Sequence, residues 1–91
     1  MKNSDIARVF QDIADLLELK KDSIFKIRAY QKVARSIEEL LVGVERLVAE
    51  DRLREVLGVG EAITKKITEL VTTGKLDYYD KLKAEFPKSK L

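Results

Sequence analysis

A chain of 91 residues with no cysteine, no histidine and a formal charge of only +2 has the size of one small domain, with neither disulfides nor thiolate or imidazole metal sites to draw on. The missing histidine also removes the usual acid/base group near neutral pH, which excludes classical triads and histidine-held zinc hydrolysis within this chain. No apolar run approaches the roughly 20 residues of a membrane span and the first residues lack the apolar block of a secretory signal, so a cytoplasmic monomer with no membrane partner is expected.

Ser4 is a plausible N-cap for a first helix over about Asp5 to Leu19, with Ile6, Val9, Phe10, Ile13, Leu16 and Leu17 at helical spacing. Asp22 or Ser23 caps a second helix whose apolar stripe runs Ile27, Tyr30, Val33, Ala34, Ile37, Leu40, Leu41, and Gly43 is expected to end it. A short third helix spans about Val44 to Ala49, and Asp51 is expected to start a brief helix leading into Gly58-Val59-Gly60. A fourth helix follows from Glu61 to about Thr73, with Ile63, Ile67, Leu70 and Val71 inward and Gly74 just past its end. A last helix begins near Asp77 and stops before Phe86-Pro87, because the residue before proline is pushed out of the α region. No stretch alternates long enough for a strand. The fold class is all-α, with four to five helices forming one domain over 1–87 and a polar tail at 88–91 that reads as the start of a linker to something longer.

The stretch Val56 to Ile67 carries the strongest functional signal. Glycines spaced as Gly58-Val59-Gly60 allow a tight turn and close approach of another backbone, while the unpaired amides opening the next helix point outward as anion donors. Val59 would plug the turn into the core. Charge is also uneven: Lys20 to Arg35 holds six cations against Asp22 alone, whereas Ser36 to Glu61 holds three arginines against seven acids. The hairpin, at about 51–73, resembles the helix-hairpin-helix motif, which grips nucleic-acid phosphates without reading bases.

Taken with Phe25-Lys26-Ile27-Arg28-Ala29-Tyr30 and Thr73-Gly74-Lys75-Leu76, the hairpin makes nearly the whole chain similar to the N-terminal domain of family X DNA polymerases. The opening Ile6-Ala7 and Leu16-Leu17-Glu18-Leu19-Lys20 are more like the bacterial and archaeal members. That resemblance implies packed helices that touch gapped or single-stranded DNA, preferably with a 5′-phosphate, in gap-filling or base excision repair. It also implies roles for particular residues. Lys66 matches a lysine that forms a Schiff base with an abasic deoxyribose phosphate, Lys26 one that holds the 5′-phosphate, and Tyr30 a tyrosine lining the same pocket. Phe25 stands where a stacking histidine is found, and the carbonyls of Arg54, Val56 and Val59 match a ring that can hold sodium or potassium. Four further positions depart from the pattern: Ala62 and Tyr78 replace phosphate-binding lysines, Thr64 replaces a small alanine, and Leu57 replaces a proline.

Schiff-base chemistry needs a neutral amine. Lys66 lies beside Lys65 and next to the stripe of Ile63, Ile67 and Leu70, where like charge and partial burial are expected to favour that form. Both lysines also read as ordinary cations flanking a core helix. Phe25, off the apolar stripe, is expected at the surface or rim, and Tyr30, on it, in the core with its hydroxyl available. Acid pairs such as Glu38-Glu39 and Asp12-Asp15 read as solvated faces. Three functions are consistent with these residues: DNA binding through Gly58, Val59, Gly60, Lys26, Lys65 and Lys66, a deoxyribose-phosphate lyase with Lys66 as nucleophile, and a helical protein-interaction domain.

Overall fold

A computed structural model describes residues 1–86, in which five helices and one 3₁₀ turn pack around a single apolar core. The helices are α1 (Asn3–Leu19), α2 (Ile24–Glu38), α3 (Val44–Ala49), α4 (Glu61–Thr73) and α5 (Asp77–Ala84), with the 3₁₀ turn at Leu53–Glu55 between α3 and α4. The all-α expectation holds. The domain boundary at 87 and the tail at 88–91 lie outside the described residues.

α1 and α2 form the central antiparallel pair, burying Ile6, Phe10, Ile13 and Leu17 against Ile27, Val33 and Ile37. The 3.6-residue spacing of these side chains puts them on one face of each helix, and their removal from water is the main favourable term in folding. α3, the 3₁₀ turn and α4 pack on one another as a second unit, and α5 closes back onto α1. There Tyr79 donates its hydroxyl to Asp12 at 2.8 Å and Lys20 pairs with Glu85 at 2.7 Å.

Three boundaries differ from the sequence expectation. α1 starts at Asn3 with Lys2 in the cap position, so Ser4 is not the cap. The Lys2 amide is met by the Asp5 carboxylate at 3.2 Å, and Asn3 spends its side chain elsewhere, donating to the Val42 carbonyl and accepting from the Val44 amide. That grip explains the second difference. α2 stops at Glu38 rather than running to Gly43, Leu41 is fully exposed, and Gly43 instead precedes α3 as its N-cap. Third, Asp51 does not start a helix. At φ +56° it ends α3, with its amide bonded to the Val48 carbonyl and the Arg52 amide to the Leu47 carbonyl, the paired bonds of a Schellman cap. Lys21, at φ +61°, ends α1 in the same way.

Candidate nucleic-acid interface

The loop between the 3₁₀ turn and α4 is a tight turn pinned at both ends. Val56 and Val59 are each only 6% exposed, and the Val59 amide donates to the Val56 carbonyl at 3.1 Å. Gly58 occupies the third position with φ +89°, where a type II turn calls for glycine. Leu57 and Gly58 are thereby held outward on a fixed base, with Leu57 69% exposed. Gly60 is the α4 N-cap in extended conformation, and a methyl group built on it would meet nothing within 4 Å. Its role is therefore not imposed by the turn; it keeps the approach to the helix end open.

Among the described residues, the amides of Glu61, Ala62 and Ile63 beyond Gly60 donate to no backbone carbonyl, while the Thr64 amide and hydroxyl both bond the Gly60 carbonyl, at 2.9 and 2.8 Å. Those three amides and the positive end of the α4 dipole form an anion-accepting end. Glu61 sits in the same turn, its carboxylate 3.9 Å from both Arg54 and Lys65. Among the described residues, the carbonyls of Arg54 and Val59 accept no backbone hydrogen bond, and that of Val56 has one lone pair left after the Val59 amide.

A second group of predicted residues assembles around aromatic rings. Phe10, Tyr30 and Tyr78 stack in sequence, with centroids 6.0 and 6.1 Å apart, and the Lys66 amine lies 4.9 Å from the centre of the Tyr78 ring. Burial, helped by Tyr78, pushes the Tyr30 hydroxyl well above its ordinary pKa. Lys26 lies one helical turn before Tyr30, half exposed and paired with Asp22 at 3.4 Å. The Ser23 amide above all, and then Lys26, hold the Asp22 carboxyl below its usual range. A cavity of about 600 Å³ opens beside this cluster, lined by Lys65, Lys66, Lys81 and Tyr78 and also by Glu61, Glu69 and Asp77. Tyr78, in place of a lysine, fills the space between Tyr30 and Lys66 with a ring.

Phe25 is 79% exposed at the start of α2, at the surface as its place off the stripe implies. Lys32 carries no motif in the sequence, yet its aliphatic stem lies against the hairpin: a methyl group on Gly58 would meet its Cγ, Cδ and Cε at 3.4 to 3.8 Å. In the sequence, Lys32 is one cation among six, and only the docking of the hairpin onto α2 distinguishes it. Among the described residues, no group of three or more acidic, cysteine or histidine side chains is placed to hold a metal ion.

The helix-hairpin-helix domain family model matches residues 1–76. The chain belongs to that family. One curated relative, the DNA polymerase/3'-5' exonuclease PolX of Bacillus subtilis (strain 168), is 32% identical over 88 residues, covering 96% of this chain. The match lies in the N-terminal region of that family X polymerase and marks this chain as a helix-hairpin-helix domain of the family X type. The chain spans only 15% of the length of that relative.

Proposed function

We propose that this helix-hairpin-helix domain binds DNA without sequence preference and holds the 5′-phosphate side of a gap, as the N-terminal part of a family X repair polymerase. The observation that carries the reading is the α4 entrance: three unbonded amides, an unobstructed Gly60, and Lys65 and Lys66 on the following turn. Such a site accepts phosphate oxygens and offers little that reaches base edges, so affinity comes from the backbone of the nucleic acid. Lys26 and Lys66 are the side chains that would meet a terminal phosphate, with Tyr30 behind the Tyr78 ring. The free carbonyls of Arg54 and Val59, with that of Val56, would hold a sodium or potassium ion bridging the hairpin to a phosphate oxygen.

Binding to a gapped duplex, followed from low to moderate salt, tests the reading. With three or four phosphates engaged at the hairpin, the hairpin's share of the slope of log K against log[salt] should be on the order of −3 to −4. A flat response would rule the electrostatic mode out. A 5′-phosphate at the gap should tighten binding, and Lys26→Ala should abolish that preference while leaving the general affinity. Equal affinity of the unaltered domain for phosphorylated and unphosphorylated ends would mean that Ala62 and Tyr78 have removed the pocket.

A second reading, deoxyribose-phosphate lyase activity, is favoured by the half-buried Lys66 at the rim of the 600 Å³ cavity. Its amine would add to the C1′ aldehyde of an incised abasic site, with loss of water, to give an imine that borohydride reduces to a stable adduct. The amine must first leave the Tyr78 ring, and a misplacement of about 1 Å costs on the order of a hundredfold in rate. Trapping is therefore expected to be slow, with the adduct on Lys66. Rapid turnover surviving Lys66→Ala would assign the chemistry to another amine.

A further inference from the structure

Arg28, Lys32 and Arg35 follow one another at helical spacing on the outer face of α2, all exposed. Among the described residues, none of the three is in an ion pair, whereas Arg46, Arg52, Arg54, Lys65, Lys81 and Lys83 each lie against a carboxylate. Glu39, one turn past Arg35, closes the row. The row is continuous with the hairpin, because the Lys32 stem rests on Gly58 and because Ser36 of α2 and Glu39 just past its end share a groove with Glu55, Val56 and Leu57. At 1.5 Å per residue its alpha carbons span roughly 10 Å along the helix, long enough to meet two or three successive phosphates.

We propose that this face of α2 is a second phosphate track, which holds the continuous strand opposite the gap while the α4 entrance holds the interrupted one. The separation of this row from Lys26, the residue proposed for the 5′-phosphate, supports two strands rather than one. Lys26 and Tyr30 lie on roughly the opposite side of α2 from Arg28 and Lys32, two residues away at about 100° each. A ligand touching both sets must straddle a helix of about 10–12 Å diameter, comparable to the roughly 12 Å width of a DNA major groove. The exposed Phe25 ring, one turn before Arg28, stands at the end of the track where a strand would leave it.

The proposal rests on the DNA-binding reading above, and the test separates the two. The variant Arg28→Gln/Lys32→Met/Arg35→Gln removes three charges, and methionine retains most of the stem that covers Gly58. On a gapped duplex its log–log salt slope should be shallower by about 2 to 3, or about 0.9 for each phosphate no longer neutralised. On a short 5′-phosphorylated single strand, too short to cross the helix, the slope should not change. Should the triple variant fail to fold by circular dichroism, Lys32→Met alone should make the duplex slope shallower by about 0.9. An unchanged duplex slope, with binding weakened in Gly60→Val, would overturn the track and leave the hairpin reading standing. Equal reductions on both ligands would overturn the two-strand assignment. Absence of salt-dependent binding by the unaltered domain to either ligand would overturn both readings.

Discussion

Gly58 and Gly60 stand two residues apart and place different demands on the backbone. At φ +89°, Gly58 lies where a side chain is disfavoured whatever the space around it, and the nearest atoms belong to the flexible Lys32 stem. Gly58→Ala is therefore expected to destabilise the domain by about 1–2 kcal/mol through backbone strain, which at this chain length lowers Tm by on the order of 5–10 °C. Gly60, with φ −100° and ψ −165°, already has a conformation open to any residue, and nothing stands near its alpha carbon. Gly60→Val should accordingly leave most of the stability intact and weaken DNA binding, since the branched side chain projects where a phosphate must approach the α4 amides. Thermal unfolding of both variants, set beside their affinities, checks the division. A Gly60 variant that loses stability as severely as Gly58→Ala would show that the turn, rather than the ligand, needs the second glycine.

The same division between local and distant causes explains which elements are readable from the sequence. α4 is legible at both ends, because its start follows Gly60 directly and its end is set by Gly74 at φ +78°, whose amide bonds the Leu70 carbonyl. The end of α2 is not, because Leu40 and Leu41 continue the apolar spacing and the break is imposed from 39 to 41 residues away by Asn3. Asp51 misleads for a related reason: aspartate opens helices more often than it closes them, and here the Schellman bonds to Leu47 and Val48 decide. At the site, motif and spacing suffice to place the hairpin turn, while the Lys32 contact and the Tyr30–Tyr78–Lys66 stack depend on how helices meet. Asn3→Ala should cost about 1–3 kcal/mol, because it strips the acceptor from the amide of the wholly buried Val44. Leu41→Ser should fall within about 0.5 kcal/mol of the unaltered protein, its side chain being fully in solvent. Denaturant midpoints measure both. A large drop in stability for Leu41→Ser would mean that the loop packs in solution against something else.

Over the whole molecule, closure depends on α5 returning to α1, and two tyrosines make that closure sensitive to alkali. Tyr79 gives its hydroxyl to Asp12, and burial first, then that hydrogen bond, push its pKa up to about 12. Tyr30, buried between Phe10 and Tyr78, is shifted in the same direction. A tyrosine whose folded pKa lies above the unfolded value of about 10 holds its proton more tightly in the folded state. Its contribution is complete below about pH 10 and disappears as pH rises toward 12, where the unfolded chain releases the proton and the folded one must give up the bond to do so. The decline alone does not identify its source, and the difference between two proteins does. Tyr79→Phe should be less stable than the unaltered domain at pH 7, lacking the bond to Asp12, and the gap should narrow steadily between about pH 10 and 12 as the unaltered protein loses the advantage. Urea midpoints measured in parallel across that interval would reveal it. A gap that stays constant with pH would place the value of Tyr79 in the packing of its ring, over which Lys83 lies at 4.2 Å, and not in the proton it shares with Asp12.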